Sequence, residues 1–416
     1  MRPGGYGPLA VCVALCGFAA CAGEPGAEVT PSDPEAVRPF TIAVPDAVLS
    51  DLGERLARTR LPDAGPGAAW EMGTDRAYLE GLLEYWRSGF DWRAQERALN
   101  ELDHFTTTID GVDVHFIHEP SPNPNAVPLL LVHGWPGSFV EFVALVDPLS
   151  DPAAHGGVAA DAFHVVIPSL PGFGFSGKPT ERGYGPEKMA DVLAALMDRL
   201  GYDHYGVQGG DWGAIIGRSL AGNNPDHVIG LHSNFMTGGP PAGVADPNEG
   251  VPAVELELRA ERTGAFAEGS AYQEIQGTKP QTLGYGLNDS PAGLAAWIIE
   301  KFHGWSDNEG SPETAFTRDQ MLTNVTLYWV TETVTSSTRI YYESRHTPAT
   351  RPVRYVEVPT AVAVFPKEIY FTPRRWAEAR YNIVRWTMMP RGGHFAALEE
   401  PELLVEDVRA FFRDLR

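Results

Sequence analysis

The sequence predicts an α/β fold, with a mostly parallel β-sheet and helices on both of its faces. Short apolar runs alternate with helical stretches in the middle of the chain, and 43% of the 416 residues are hydrophobic, which is ample for a large core. Because strands separated by helices normally lie parallel in one sheet, this alternation indicates a layered α/β domain. The predicted buried strands are residues 129–132, 163–167, 205–208 and 228–233, and the clearest helix between them is 186–200.

The chain begins with a segment, residues 1–21, that has the features of an export signal. An apolar stretch from Leu9 to Ala20 follows Arg2 and is too short to span a bilayer comfortably. Small residues precede Cys21, as they do at a bacterial lipoprotein processing site. We therefore expect an exported protein, secreted or tethered to the cell envelope through a lipidated Cys21, or a cytoplasmic one if the start codon is misassigned.

All three cysteines lie within those first 21 residues. A processed chain would keep at most one of them, so we expect no internal disulfide and no metal site that needs several cysteines. The sequence predicts neither a metal nor an organic cofactor.

The next part of the chain has no strand–helix alternation. Residues 22–37 are rich in Pro, Gly and acidic residues and are predicted to be a linker. In the segment 38–104, a helix is predicted to begin at Pro45, because Leu49, Leu52 and Leu56 fall on one helical face. The rest of this segment is aromatic-rich and predicts short helices with irregular connections.

The α/β core is predicted in two parts, 105–236 and 351–416. Its first part opens with a β-hairpin, because the turn dipeptide Asp110-Gly111 separates two strand-like runs, 106–109 and 112–117. A proline-rich loop is expected at 120–128. The second part contributes the strands 361–365 and 383–387. The alternation is interrupted between the two parts, and the helical insertion at 237–350 is predicted to be a lid over the edge of the sheet.

The motif GGDWG, residues 209–213, indicates the chemistry. It lies between the predicted strand 205–208 and an apolar helical stretch, which is the context of the nucleophile elbow in the α/β-hydrolase fold, with Asp211 where serine is usual. A carboxylate is a poor catalyst of ester hydrolysis, but it can displace a leaving group at saturated carbon and form a covalent alkyl ester. The motif therefore predicts a hydrolase of epoxides or alkyl halides.

Two further residues complete a predicted catalytic triad, in which the order along the chain is nucleophile, acid, histidine. His394 lies in RGGHF, residues 391–395, just beyond the last predicted strand, where it would act as the base that deprotonates the attacking water. Glu368 directly follows the strand 361–365 and is predicted to orient that histidine. Two alternatives are weaker: Asn234 cannot carry the charge, and Glu357 would precede the strand and lie at its opposite end.

An oxyanion hole is predicted from two backbone N–H groups. HGWPG, residues 133–137, follows the strand 129–132, and loops at this point supply such donors. The N–H groups of Trp135 and Trp212 would stabilise the tetrahedral intermediate of ester hydrolysis. His133 is predicted to be structural.

Opening a strained ether also requires an acid, because negative charge develops on the departing oxygen. Phenol groups of the lid could supply the proton. For any one tyrosine of the insertion, packing is the commoner role, and the residues alone do not choose among the five. They are Tyr272, Tyr285, Tyr328, Tyr341 and Tyr342.

These motifs resemble those of the microsomal-type epoxide hydrolases, including the juvenile hormone epoxide hydrolases, over roughly residues 38–416. The matching motifs are HGWPG at 133–137, GGDWG at 209–213, QGTKP at 276–280, LNDSP at 287–291 and RGGHF at 391–395. The resemblance implies a nucleophilic Asp211, a base His394 with Glu368 as its partner, and two acids, Tyr272 and Tyr341, although the adjacent Tyr342 leaves the second position open.

The resemblance also implies that 38–104 is the family's N-terminal domain, which wraps around the core and holds the lid. Membrane-bound relatives carry a longer anchor helix, which the signal-like segment replaces here, so a microsomal location is not implied. The expected reaction converts a small apolar epoxide and water into a vicinal diol.

Two other functions remain open from the sequence. A haloalkane or haloacid dehalogenase would share the aspartate nucleophile and the following Trp212, but would not need the tyrosine pair. A non-catalytic binding protein of the same fold is disfavoured by the intact triad. The formal net charge of −22, spread without blocks of basic residues, argues against nucleic acid or anionic lipid as a partner.

Overall fold

The computed structural model describes residues 1, 4, 33, 35–351 and 354–416. Two units are distinguished, Met1–Pro34 and Glu35–Arg416, and every helix and strand of the described residues lies in the second. The signal-like stretch from Leu9 to Ala20, Cys21 and most of the predicted linker lie outside the described residues. Among the described residues, no helix is both long enough and apolar enough to cross a membrane.

Within the described residues the chain forms nine strands and fifteen α-helices. The strands are β1 (Arg38–Pro39), β2 (His104–Ile109), β3 (Val112–Glu119), β4 (Val127–Val132), β5 (Phe163–Pro168), β6 (Tyr205–Gly209), β7 (Val228–Ser233), β8 (Val356–Val364) and β9 (Tyr381–Met388). The helices that precede β7 are α1 (Asp46–Ala57), α2 (Arg76–Ser88), α3 (Trp92–Leu99), α4 (Val146–Ser150), α5 (Pro186–Arg199) and α6 (Asp211–Asn223).

Six helices lie between β7 and β8, and three accompany the last strands. The six are α7 (Ala253–Gly269), α8 (Ala271–Thr278), α9 (Pro280–Leu287), α10 (Pro291–Trp305), α11 (Arg318–Thr331) and α12 (Val334–His346). The three are α13 (Arg374–Glu378), α14 (Ala396–Glu399) and α15 (Pro401–Phe412). Short 3-10 helices occur at Phe139–Leu145, Pro152–His155, Ala159–Asp161, Pro312–Thr314 and Arg413–Leu415.

The strands form one mixed sheet in the order β1-β2-β3-β5-β4-β6-β7-β8-β9. The pairs β1–β2, β2–β3 and β3–β5 are antiparallel. The pairs β5–β4, β4–β6, β6–β7, β7–β8 and β8–β9 are parallel. Helices α5 and α6 cover one face of the parallel part, while α4 and α15 cover the other, so two apolar cores enclose it. The α/β class predicted from the alternation is confirmed.

The predicted hairpin at Asp110-Gly111 is present between β2 and β3. The two residues have φ angles of 50° and 76°, and Ile109 pairs directly with Val112. Two successive left-handed residues match the right-handed twist of the strands, which is why this dipeptide predicts the turn so well.

Two predicted boundaries were wrong. The strand expected at 361–365 is longer and begins at Val356, with its register shifted around Pro359, where proline cannot continue a regular ladder. The loop expected at 120–128 ends earlier, since Pro128 lies in β4. Pro128 pairs with β5 only, because the pairing of β4 with β6 begins at Leu129. The N–H that proline lacks therefore removes no hydrogen bond between β4 and β6.

The N-terminal helices are bonded to the insertion. The Arg55 guanidinium in α1 donates to the backbone and side-chain oxygens of Asp289, at 2.8 and 2.7 Å. The Thr74 hydroxyl donates to the carbonyl of Ala296 at 2.7 Å, and the Tyr85 hydroxyl donates to Asp319 at 2.8 Å. These contacts fix α10 and α11, and so the insertion, against the N-terminal segment.

Asp407 is a buried carboxylate that connects α15 to strands β7 and β9. It accepts hydrogen bonds from His232 in β7 at 3.0 Å, from Nε of Arg385 at 2.8 Å and from Thr387 at 2.8 Å, the last two in β9. Burial alone would raise the pKa of Asp407, but the bonds from His232, Arg385 and Thr387 hold it well below its ordinary value. The residue therefore fixes the last helix to the last parallel strands.

Replacing Asp407 by Ala should lower the free energy of unfolding by ~2–4 kcal/mol, because it leaves buried donors without an acceptor. Urea unfolding would measure this, with the exposed neighbour Glu406→Ala as a control expected to change it by less than ~0.5 kcal/mol. Since the pKa of Asp407 is depressed by folding, its contribution is complete above about pH 4 and is lost as the pH falls further. Equal unfolding free energies for both variants would contradict the role.

Candidate active site

The turn that carries Asp211 depends on glycines. Asp211 is the first residue of α6 and has a φ angle of +47°, a left-handed conformation that is strained for a residue with a side chain. A Cβ at Gly209 would lie 2.6 Å from the backbone of Gly213, and one at Gly213 would lie 1.8 Å from the carbonyl of Val132. Only glycine fits at both positions, and the carboxylate is thereby held at the carboxyl end of β6.

The two oxygens of Asp211 have different surroundings. Oδ1 accepts a hydrogen bond from the backbone N–H of Trp135 at 2.8 Å, and a Cβ at Gly134 would lie 2.2 Å from it. Oδ2 lies 3.7 Å from Nε2 of His394. Burial raises the pKa of Asp211, while His394 and the backbone N–H groups of Trp135 and Trp212 oppose that rise. One oxygen therefore lies in an amide pocket and the other faces the imidazole.

His394 and Glu368 are in direct contact. Nδ1 of His394 lies 2.6 Å from Oε1 of Glu368, and both side chains are buried. The same oxygen accepts from the N–H of Ile369 at 2.6 Å, and the backbone N–H of His394 donates to Trp305 at 2.9 Å. Burial disfavours the charged imidazole, but Glu368, with smaller contributions from Asp211 and Glu141, raises the pKa of His394 to about 9.

The two alternative partners for His394 lie elsewhere. Glu357 lies inside β8, not before it as the sequence predicts, because the strand begins at Val356; its side chain is exposed at the far end. Asn234 follows β7 and lies beside Asp211, where its Oδ1 accepts from Gln208 at 2.9 Å. Neither is bonded to the imidazole.

Tyr272 in α8 and Tyr341 in α12 lie together over Asp211. Their ring centres are 5.7 Å apart, Tyr272 stacks on Trp135 at 5.4 Å, and Tyr341 meets the edge of Trp212 at 4.8 Å. Burial raises the pKa of both phenols above the ordinary value, so both stay protonated. In the described part of the chain, no hydrogen-bond partner is found for the Tyr341 hydroxyl. The Tyr272 hydroxyl accepts from Gln273 at 3.1 Å, which leaves its proton available.

The other three tyrosines of the insertion are directed elsewhere. Tyr285 is 74% exposed. The Tyr328 hydroxyl donates to the carbonyl of Gly137 at 2.7 Å. Tyr342 stacks on His346 with ring centres 4.0 Å apart and lies beneath the guanidinium of Arg182. Of the two adjacent tyrosines of α12, Tyr341 lies on the face that meets Trp212 and Tyr342 does not.

His133, expected to be structural, is buried beneath the turn. Its Nε2 accepts from the N–H of Leu170 at 3.2 Å, and its Nδ1 lies 3.0 Å from the carbonyl of Gly134. Burial lowers its pKa to about 4, so the ring is neutral.

Two ionisable residues near the site were missed by sequence reasoning. Lys301 is buried, with Nζ 4.4 Å from the ring centre of Tyr272 and 5.5 Å from that of Trp305. The sequence does contain a pattern that indicates this lysine, because Trp297, Lys301 and Trp305 are spaced by four residues and share one helical face.

Glu141 lies in the 3-10 helix after HGWPG and lines a small cavity beside Asp211 and His394. Burial raises its pKa to about 8. Nothing in the sequence marks this glutamate, because its direction depends on the path of the chain after Gly137.

Two family models match the chain. The model for the epoxide hydrolase N terminus matches residues 37–142, and the model for the alpha/beta hydrolase fold matches residues 127–234. The expected α/β-hydrolase fold is thereby confirmed.

Similar proteins are epoxide hydrolases by name. A putative epoxide hydrolase of Stigmatella aurantiaca is 47% identical over 91% of this chain and 86% of that protein. Epoxide hydrolase 1 of Sus scrofa is 39% identical over 93% and 91%. The crystal structure of juvenile hormone epoxide hydrolase from the silkworm Bombyx mori superposes with a TM-score of 0.85 and 34% identity, over 92% of this chain and 95% of that one.

These comparisons confirm the resemblance drawn from the motifs and do not favour the dehalogenase. They also contradict the non-catalytic alternative, since the relatives are named as enzymes and match this chain over most of their own length.

Replacing Glu368 by Gln should lower the pKa of His394 from about 9 toward the ordinary value near 6.5. The loss of a negative charge 2.6 Å from Nδ1 disfavours the imidazolium. Titration of the ring nitrogens by NMR would measure the change. Glu357→Gln is the control. It removes one carboxylate charge at the opposite end of β8 and should leave the pKa of His394 unaltered. An equal shift in both variants would mean that Glu368 is not the partner.

Proposed function

Because this chain belongs to the epoxide hydrolase family of α/β-hydrolases and is an enzyme that hydrolyses epoxides, we propose that it does so through a covalent ester on Asp211. One observation carries the proposal. Oδ1 of Asp211 lies on the N–H of Trp135, while Oδ2 faces His394 beneath two protonated phenols. A carboxylate held this way has one oxygen for attack and one in a pocket suited to negative charge.

In the first step, Oδ2 attacks an epoxide carbon and the ring C–O bond breaks. The departing oxygen takes a proton from the phenol of Tyr272 or Tyr341, since both are neutral and directed toward the nucleophile. An alkoxide is a far stronger base than a phenolate, so a phenol of raised pKa still donates. The products of the step are the Asp211 ester and one phenolate.

The second step needs a neutral His394. Esterification removes the charge of Asp211, which is one of the charges that raise the pKa of His394, so the imidazolium gives up its proton more readily once the ester has formed. The phenolate left by the first step accepts that proton and becomes a phenol again. The neutral imidazole then accepts a proton from water as the water oxygen attacks Cγ of Asp211. The negative charge that develops on Oδ1 is stabilised by the N–H groups of Trp135 and Trp212.

Collapse of this intermediate releases the diol, whose new oxygen comes from Asp211. The water oxygen remains in the regenerated carboxylate, one proton of the water stays on His394, and the other completes the diol hydroxyl. Epoxide and water are thus consumed without a net change of protonation.

An apolar epoxide suits the surroundings of Asp211. Five aromatic rings pack against one another near Asp211, those of Trp135, Trp212, Tyr272, Trp305 and Tyr341, and their polar atoms are few. Apolar walls with a few directed polar groups are typical of sites for small apolar molecules.

His394→Gln should trap the ester, because the variant cannot deprotonate water but keeps Asp211 and both phenols. Intact mass after mixing with styrene oxide should show one adduct per chain, and peptide mapping should place it on Asp211. Asp211→Asn is the control and should show neither adduct nor diol.

A single turnover of the parent enzyme in water enriched in oxygen-18 should label Asp211 and leave the first diol unlabelled. Label in the diol itself would instead indicate direct attack of water on the epoxide. Halide release from a 1-haloalkane without diol from any epoxide would favour the dehalogenase alternative.

Tyr272→Phe and Tyr341→Phe should each slow formation of the ester by about 10- to 1000-fold, if each phenol supplies ~1.4–4 kcal/mol of stabilisation to the departing oxygen. Epoxide consumption in single turnovers measures this step. Tyr342→Phe, in the adjacent residue, and Tyr285→Phe, on the surface, are matched controls expected to react as fast as the parent. A larger loss in Tyr342→Phe than in Tyr341→Phe would overturn the assignment.

A further inference from the structure

We propose that Lys301 stabilises the phenolate of Tyr272 as the epoxide opens, so that Tyr272 gives the proton and Tyr341 only donates a hydrogen bond to the departing oxygen. The inference deepens the proposed ester mechanism and rests on it, because that mechanism leaves the choice between the two phenols open. Lys301 acts through Tyr272 and not on the substrate, so it is a positioning residue for the charge that forms there.

Lys301 in α10 is enclosed by three aromatic rings. Its Nζ lies 4.4 Å from the ring centre of Tyr272, 5.5 Å from that of Trp305 and 5.9 Å from that of Trp297. Only 4% of the residue is exposed. A cation is attracted to the negative face of an aromatic ring, and more strongly where water is excluded. The nearest of the three rings is the one that lies over Asp211.

The ammonium group has its counter-charge in the adjacent residue. Glu300 forms an ion pair with Nζ of Lys301, and 30% of the Glu300 side chain is exposed. Burial lowers the pKa of Lys301, and Glu300 opposes that fall. Glu300 also raises the pKa of Tyr272, but less than Asp211 does. The pair is therefore arranged with its cation against the phenol ring and its anion in contact with solvent.

Packing alone does not account for this lysine. Lysine is seldom buried, because its ammonium group loses hydration in the interior. Methionine would fill a space between aromatic rings without that loss. The buried charge therefore supplies something that a neutral side chain would not, and the ring that it meets most closely is that of Tyr272.

The two phenols differ in what surrounds them. The Tyr272 hydroxyl accepts from Nε2 of Gln273 at 3.1 Å, and Lys301 lies over its ring. Among the described residues, no lysine or arginine lies over the ring of Tyr341, and its hydroxyl has no hydrogen-bond partner. Tyr341 lowers the pKa of Tyr272, while Tyr272 raises the pKa of Tyr341. A donor at the oxygen and a cation at the ring both favour a phenolate, so Tyr272 is the better place for the negative charge.

The first chemical step then has a defined course. Oδ2 of Asp211 forms a bond to the epoxide carbon, and the electron pair of the breaking C–O bond stays on the epoxide oxygen. That oxygen takes the proton of Tyr272, which is left as a phenolate with its charge spread into the ring beneath Lys301. The imidazolium of His394 later returns a proton to this phenolate, so Lys301 remains an ammonium group throughout.

The test compares two replacements of Lys301 in the full-length enzyme. Lys301→Met is similar in length and removes the charge, whereas Lys301→Arg keeps the charge and changes the shape. Lys279→Met, which removes the exposed lysine after α8, is the matched control. Each enzyme, in excess, is mixed with styrene oxide, quenched in acid, and analysed for remaining epoxide and for the mass of the ester. Thermal unfolding checks that each variant is folded.

Lys301→Met should slow epoxide consumption by about 10- to 100-fold, the loss expected for one desolvated contact between a cation and an aromatic ring. Decay of the ester should stay near the parental rate, because Lys301 has no part in that step. Lys301→Arg should react faster than Lys301→Met, whereas a role in packing alone predicts the reverse order. Lys279→Met should match the parent. Parental epoxide consumption in Lys301→Met, or a Met variant faster than the Arg variant, would overturn the inference.

Two double variants test whether the effect passes through Tyr272. Added to Tyr272→Phe, which has no phenolate to stabilise, Lys301→Met should cause little further loss, but added to Tyr341→Phe it should slow epoxide consumption as much as in the parent. Equal slowing in both backgrounds would overturn the link to Tyr272. Absence of an Asp211 ester in His394→Gln would instead overturn the proposed function itself, so the two failures are distinct.

Discussion

Burial of the Asp211 carboxyl group is the constraint on which the rest of the site depends. An ionised carboxylate in a dry interior is costly unless donors surround it, and here they are the backbone N–H groups of Trp135 and Trp212 and the imidazole of His394. Those donors can approach because glycine occupies the close positions, above all Gly134 and Gly213. The same arrangement that makes the charge tolerable also leaves one oxygen facing the imidazole of His394 and the other on the backbone N–H of Trp135.

The charges of the site are coupled, and the coupling changes during the reaction. With Asp211 ionised, the imidazole of His394 is favoured as a cation. In the proposed mechanism, esterification of Asp211 weakens this preference, so that a base becomes available beside the ester. On this proposal the nucleophile prepares the second step by losing its own charge, and the bond from Glu368 to Nδ1 of His394 orients the imidazole.

The N-terminal segment supports the chemistry from a distance. Arg55, Thr74 and Tyr85 bond it to α10 and α11, and the insertion in turn brings Tyr272 and Tyr341 against Trp135 and Trp212. Two phenols can serve as acids only if they are dry, protonated and correctly aimed, which requires a rigid cover over the nucleophile. The large aromatic surface at this interface supplies that rigidity.

The sequence by itself determined the α/β fold and the hairpin at Asp110-Gly111, and it predicts a nucleophilic Asp211, because alternation, turn dipeptides and the elbow motif are local patterns. It also indicated His394 and Glu368, since their loops directly follow strands. Only the tertiary structure decided that Tyr341 and not Tyr342 faces the nucleophile and that Glu357 lies at the far end of β8. It alone brought Glu141 to the cavity beside Asp211. These outcomes depend on which face of a helix is covered and on where distant loops meet, and neither is encoded in the spacing of neighbouring residues.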